Sequence, residues 1–188
     1  MVRVQSPPNF LLTFVFYEDL IVQGSYHKRG ATAALVNHFL QGIIDVNDTH
    51  AITVIDLLQA EVKSCLGCQR CVKNNPDKPL GTCSLKDDVA PILQSMLDSD
   101  MIVLASLIYC WSATALMMRF IERTYPSHLD NEEGHPEYRN QPQKGKRAVF
   151  LFSSGMPPPY NVKRGCTKHA EQFFLYYVAA YGCDETHT

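Results

Sequence analysis

Residues 20–32 read Leu20-Ile21-Val22-Gln23-Gly24-Ser25-Tyr26-His27-Lys28-Arg29-Gly30-Ala31-Thr32. Three apolar residues run into a Gly-Ser step, two basic residues and a second glycine. Leu35, Val36, Phe39, Leu40 and Ile43 then recur at helical spacing. A short apolar run without alternation is the pattern of a strand covered on both faces, and the periodicity after it is that of a helix with one buried side. The segment therefore reads as strand, glycine-bearing turn, helix, with Thr32 as the expected N-cap.

The alternation of strand and helix continues along the chain, with no internal repeat. Residues 52–55, closed by Asp56, form a second strand candidate. Residues 57–83 read as a long connection, broken by Asn74-Asn75-Pro76 and Pro79. Ser84 with Asp87 three positions later resembles a capping box, and Val89, Ile92, Leu93, Met96 and Leu97 supply the apolar stripe of the helix it would open. Residues 101–105 are the cleanest buried strand. A third helix is expected over 113–123, a polar surface excursion over 124–146, a fourth strand over 148–152 and a last helix over 167–180. Strands alternating with helices predict an α/β fold, a parallel sheet between two helical layers. A fifth strand is expected after Gly182. Residues 183–188 are short and polar, so that strand is expected to be incomplete. Residues 1–19 form a leader of uncertain structure, and 20–188 a single domain.

Composition narrows the function. The 188 residues carry 17 Lys+Arg against 19 Asp+Glu, a formal charge of -2, which lacks the broad basic field of nucleic-acid binders. Hydrophobic residues at 46% exclude overall disorder. No apolar run reaches the roughly 20 residues that span a bilayer. The run from Phe10 to Phe16 is followed by Tyr17-Glu18-Asp19, not by the small residues of a cleavage site. Of the seven cysteines, Cys65, Cys68 and Cys71 are clustered and Cys83 follows, which fits a reducing, cytoplasmic setting better than a disulfide scaffold. The histidines form no H-x-x-H or H-E-x-x-H pair, and no G-x-S-x-G elbow is present. His38 reads as packing or surface, His128 and His135 belong to the polar excursion, and Met117-Met118 reads as core.

Open parallel sheets bind ligands beyond the carboxyl ends of their strands. Three loops lie there. The turn from Gly24 to Thr32 combines unpaired helix N-terminal amides with the hydroxyls of Ser25 and Thr32 and the charges of Lys28 and Arg29, a chemistry suited to phosphate. It has neither Walker nor G-x-G-x-x-G spacing, and an ordinary strand-to-helix turn is the alternative. Residues 106–112 place Tyr109 and the single tryptophan, Trp111, where they wall a flat ring or fill core. Residues 153–160 set Ser153, Ser154 and Gly155 before a stiff proline run.

In order and spacing, Gly24-Ser25 with Gly30-x-Thr32, Cys65-Leu66-Gly67-Cys68-x-x-Cys71, Cys83 before Lys86-Asp87-Asp88, Ser106-x-Ile108-Tyr109 and Arg119-Phe120-Ile121-Glu122-Arg123 resemble the flavodoxin-like NAD(P)H-dependent FMN reductases, and within them the iron-sulfur flavoproteins. The likeness runs from about residue 20 to residue 182. It implies a flavodoxin-like three-layer sandwich of strand order 2-1-3-4-5 with FMN at its edge. It implies that Ser25, Lys28, Gly30, Ala31 and Thr32 hold the FMN phosphate. Ile108, Tyr109, Cys110, Trp111 and Ser112 would line the isoalloxazine ring, with Ser153, Ser154 and Gly155 closing another side. Two positions depart from the family pattern: His27 stands where Arg is usual and Leu107 where Pro is usual. The implied activity is hydride uptake from NAD(P)H and electron transfer to a quinone, a free flavin or a cluster. No side-chain acid or base is needed, a homodimer is expected, and no nucleic-acid or membrane partner is. A flavodoxin-type carrier without a nicotinamide site is the alternative, although the charge of -2 is modest for one.

The Cys65-x2-Cys68-x2-Cys71 triplet with Cys83 as fourth thiol resembles a ligand run for a four-iron, four-sulfur (4Fe-4S) cluster more than a zinc site, which more often uses two separated pairs. Reduced thiols beside the flavin are the equal alternative. A zinc or redox-sensing module without flavin is the remaining one.

Overall fold

Strand β1 (Tyr17–Gly24) shows why the apolar runs lack alternation: its successive residues serve two different cores. Leu20 and Val22 belong to a core shared with Ile102 and Leu104, while Ile21 packs on the opposite face with Val103 and Ala105. The computed structural model describes residues 17–46, 50–130, 133, 136–139, 145–157, 159–160 and 166–183. In chain order the further elements are α1 (Ala31–Val46), β2 (His50–Asp56), α2 (Arg70–Lys73), α3 (Val89–Asp98), β3 (Met101–Tyr109), β4 (Ser112–Ala113), α4 (Ala115–Ile121), β5 (His128–Asp130), β6 (Pro136–Tyr138), β7 (Arg147–Ser154) and α5 (Cys166–Ala179).

The parallel strands run β2-β1-β3-β7, with β4 folded back antiparallel on β3. This is the doubly wound order expected from the sequence. Where the fifth strand is expected, the described residues hold a parallel bridge between Lys146 and Cys183; positions 184–188 lie outside the described residues. Val36 of α1 packs on one face of the sheet. The other face carries Ile92, Leu93 and Met96 of α3, Met117 and Phe120 of α4, and Phe174 and Val178 of α5. These two helical layers make the three-layer sandwich.

Several local expectations are corrected. The first strand begins at Tyr17, not at the apolar run, because Asp19 is buried and its Oδ2 lies 2.5 Å from His50 Nδ1 across the β1–β2 pair. Thr32 is not the N-cap: it lies inside α1, buried, and its hydroxyl is bonded elsewhere. The Ser84–Asp87 capping box does not form. The helix starts at Val89, and Asp87 is taken by Arg123. The third helix is shorter than expected, with Thr114 as its N-cap: the Thr114 hydroxyl accepts from Met117 N at 3.3 Å and donates to the Gly24 carbonyl at 2.6 Å. Residues 106–109 and 153–154 are strand rather than loop, paired with each other through Ile108 and Ser154.

The largest correction concerns 124–146. Its described part is not a surface excursion. A 3-10 turn at Tyr125–Ser127 leads into the β5–β6 hairpin, and Thr124, Ser127, His128 and Arg139 are all buried. Polar composition misled because these side chains bond to backbone within the fold instead of to water.

Candidate functional site

Gly24 ends β1 where α4 crosses it. A Cβ there would stand 2.8 Å from the Met117 Cβ, so only glycine lets strand and helix approach this closely. The chain then turns: the Gly30 amide donates to the His27 carbonyl at 3.1 Å, and the His27 amide donates to Ser25 Oγ at 3.2 Å. Ala34 N donates to the Gly30 carbonyl at 3.0 Å, which makes Gly30 the start of α1. By helix geometry the amides of residues 31–33 have no intrahelical acceptor, and their partial positive charge faces outward from the turn. Ser25 and Thr32 are buried, whereas Lys28 and Arg29 are exposed.

Thr32 Oγ1 and Ser153 Oγ are 2.8 Å apart. This contact joins the first loop to the end of β7 and so brings two of the three predicted loops together. The third joins them through the sheet, since Ser106, Leu107 and Ile108 pair with Phe152, Ser153 and Ser154.

Beyond the ends of β3 and β7 lies a cavity of about 440 Å³, within the range of small-ligand sites. Leu107, Ile108, Tyr109, Cys110 and Trp111 form one wall, and Ser154, Gly155 and Met156 the other. Tyr109 and Trp111 are about half exposed, so they wall the cavity and do not fill core. The β3–β4 hairpin turns on Cys110 (φ 46°) and Trp111 (φ 63°), a left-handed pair at two non-glycine residues. Such turns normally take Asn-Gly or Gly-Gly, and strain of this kind gathers at ligand sites. Of the predicted ring-lining residues, Ser112 and Ser153 are not on the cavity wall. Ser112 pairs with Tyr109 across the hairpin, and Ser153 bonds Thr32. Leu107 and Met156 line the cavity without having been expected. Leu107 had been noted only as a departure from proline, and Met156 carried no signal beyond its place in the loop after the strand.

The cysteine loop follows β2 and is held by two buried arginines. Arg123 Nη1 and Nη2 bond Asp87 Oδ2 and Oδ1 at 2.5 and 3.1 Å; Nη1 also reaches the Lys63 carbonyl, and Nη2 lies 3.5 Å from Cys83 Sγ. Burial pushes the Asp87 carboxyl up, but the Arg123 hydrogen bond and the amides of Lys63 and Val89 outweigh it and hold the carboxyl below its ordinary value. Arg139 has only carbonyl partners: Nε bonds His128 O at 2.8 Å, Nη1 bonds Asn75 O at 2.5 Å, and Nη2 bonds Cys71 O and Asn74 O at 2.6 and 2.7 Å. Nothing in the sequence pattern marked Arg139, since its partners in the cysteine loop lie 61 to 68 positions away. Gly81 passes under the same clamp, where a Cβ would stand 1.8 Å from the Cys71 carbonyl oxygen.

The four candidate metal ligands share this lobe but differ in setting. Cys65 and Cys68 are exposed, Cys71 and Cys83 half-buried. The Arg70 backbone, then the Ser84 hydroxyl, hold the Cys68 thiol below its ordinary pKa. Burial, then the nearby Cys83, push Cys71 up. Among the described residues no three Cys, His, Asp or Glu side chains converge to hold a metal ion. The four predicted thiols therefore share one lobe without converging as a ligand sphere. No helix among the described residues is long and apolar enough to cross a membrane.

Similar proteins agree with this architecture. Two relatives, both called iron-sulfur flavoprotein and both from Archaeoglobus fulgidus, are 30% identical over 112 residues and 26% identical over 105 residues. These matches cover 60% and 56% of this chain; the chain spans about half the length of these curated relatives, 51% and 44%. An NAD(P)H:quinone oxidoreductase from Methanothermobacter marburgensis superposes with a TM-score of 0.68 at 15% identity, over 90% of this chain and 83% of that one. An FMN-dependent NADH-azoreductase from Bacillus anthracis, solved in complex with FMN, superposes with a TM-score of 0.64 at 13% identity, over 90% and 84%. The profile of the family described as flavodoxin-like fold matches residues 19–182. With sheet order, helical layers and a match across most of its length in agreement, the chain belongs to the flavodoxin-like fold family.

Proposed function

We propose that this chain is an FMN-dependent oxidoreductase that takes electrons from NAD(P)H and passes them to a small acceptor such as a quinone or free flavin. One observation carries the reading. A phosphate-suited turn and an aromatic-walled cavity stand at the carboxyl ends of neighbouring strands, joined by the Thr32–Ser153 contact. The names of the relatives and the FMN bound to one structural neighbour support it.

In this reading the amides at Ala31 and Thr32 and the hydroxyls of Ser25 and Thr32 hold the phosphate, Gly30 shapes the turn beneath it through its bond to the His27 carbonyl, and Lys28 neutralises the charge. Ile108, Tyr109, Cys110 and Trp111 flank the ring, and Ser112 supports them from behind by pairing with Tyr109 across the hairpin. Ser153, Ser154 and Gly155 close its other side, Ser153 through Thr32. FMN bound there would supply hydride acceptance from NAD(P)H and onward electron delivery. The protein's part is to position the ring, exclude water with Tyr109 and Trp111, and present donors to the ring's polar edge. No side-chain acid or base is assigned. The free, exposed thiols of Cys65, Cys68 and Cys110 fit a reducing cytoplasm, and a homodimer is part of the proposal. A 4Fe-4S cluster on Cys65, Cys68, Cys71 and Cys83 would require the loop to close further than it does here.

The test is a titration of the full chain with FMN, followed by desalting and by steady-state oxidation of NADH and NADPH with a quinone acceptor. Quenched flavin fluorescence, a yellow desalted protein and quinone-dependent nicotinamide oxidation are expected. Colourless protein overturns the reading. Yellow protein with no nicotinamide oxidation would make it a flavodoxin-type carrier instead.

A further inference from the structure

The cysteine lobe carries a second hollow with a single sign of charge. Arg70, Lys73 and Lys86 line an open cavity of about 500 Å³, together with the hydroxyls of Thr82 and Ser84 and the thiol of Cys68. No carboxylate lines it. Among the described residues the ion pairs are His50–Asp19, Lys63–Glu61 and Arg123–Asp87, so none of the three cations has an acidic partner. The two acids that follow Lys86 are occupied. Asp87 serves Arg123 and the amides of Lys63 and Val89, and Asp88 accepts from the Glu61 amide at 2.7 Å.

The walls are fixed. Asn74 Nδ2 donates to the carbonyls of Arg70 and Thr82 at 2.7 and 2.9 Å, and Asn74 Oδ1 accepts from the Thr82 amide at 2.7 Å. This tie sets the Arg70–Lys73 turn against the Thr82–Lys86 segment with the cavity between them. Three like charges around one hollow repel, and a multiply charged anion that enters relieves the repulsion. A guanidinium, two ammonium groups and two hydroxyls arriving from different sides suit the oxygens of a tetrahedral phosphate. A concave hollow of this size favours a small molecule over a flat acidic protein surface.

We propose that this cavity binds a phosphate-bearing small molecule, a second anion site that shares no residue with the Gly24–Thr32 turn. The proposal stands whether or not the chain binds FMN. Calorimetric titration of the full chain with pyrophosphate, NAD⁺ and NADP⁺ at low salt tests it. Saturable pyrophosphate binding is expected, weakened about tenfold or more in Arg70→Gln and again in Lys73→Ala/Lys86→Ala. FMN affinity and melting temperature should be unchanged in both variants. NADP⁺ binding more tightly than NAD⁺, with the difference lost in the variants, would identify a nucleotide 2′-phosphate as the source; equal weak binding of both beside tight pyrophosphate would identify the free anion. Absence of saturable binding up to about 10 mM pyrophosphate overturns the proposal. So does unchanged affinity in the variants, or tighter binding of a polyglutamate peptide than of pyrophosphate, which would make the hollow a dock for an acidic protein.

Discussion

Asp87 and Arg123 are almost fully buried side chains from distant parts of the chain, and their ion pair fixes the cysteine loop to the end of α4. Removing one charge leaves the other buried without compensation, which costs about 3–5 kcal/mol. Asp87→Asn should destabilise the protein by about that amount in urea unfolding at neutral pH. The pH dependence has a definite sign. The folded carboxyl titrates below the ordinary value of 3.8, so the unfolded chain binds the extra proton. Its contribution is complete above that ordinary value and is lost as pH falls through the depressed folded one. The stability difference between wild type and Asp87→Asn should therefore shrink as pH falls below about 4. Parallel curves down to pH 2 would show that the pair is not what the carboxyl responds to. At this scale the sequence was legible where chemistry is local. Ser25 stands in the turn, where its hydroxyl accepts from the His27 amide, whereas Thr32 lies inside α1 with its hydroxyl against Ser153. Asp87 was read as a helix cap because its distant partner, Arg123, cannot be inferred from spacing.

The cysteine loop and the β5–β6 hairpin are coupled as elements by Arg139. Its guanidinium satisfies carbonyls of Cys71, Asn74, Asn75 and His128, so its loss orphans several buried acceptors together, each costing about 1–3 kcal/mol. Arg139→Met should loosen the loop locally before it unfolds the domain. Alkylation of half-buried Cys71 should accelerate about tenfold, equivalent to about 1.4 kcal/mol of local opening, while exposed Cys110 reacts at its former rate. Arg139→Lys should not rescue, because an ammonium lacks the planar fork that reaches four carbonyls. If Cys71 and Cys110 accelerate equally, the clamp is global and not local. The β3–β4 hairpin makes the opposite prediction. Cys110→Gly relieves a left-handed φ and should raise stability by about 1 kcal/mol in thermal unfolding while it widens the cavity. The polar composition of 124–146 hid the hairpin, since Arg139 is buried on carbonyls that the cysteine loop contributes.

At the scale of the molecule, the sheet was legible because its apolar runs are covered on both faces, and a run such as 101–105 has no other stable placement. The parallel sheet followed from the alternation of elements, the strand order from the family resemblance, and the three loops of the candidate site from the carboxyl ends of the strands. What was not legible is how those loops meet, because the Thr32–Ser153 contact spans 121 positions. That contact exists only when β1, β3 and β7 are all in register. A ligand seated across these strand ends therefore binds the folded chain and not the unfolded one, and binding must appear as stability. FMN at a hundredfold excess over its dissociation constant should add about 2.7 kcal/mol, which for a domain of this length is a rise of about 5–10 °C in melting temperature. Thr32→Val removes the hydroxyl that joins turn to sheet, and should reduce the FMN-induced rise by at least half while moving the ligand-free melting temperature far less. A full rise in Thr32→Val would mean that the turn and the cavity act as separate sites, and that the ring alone anchors the cofactor.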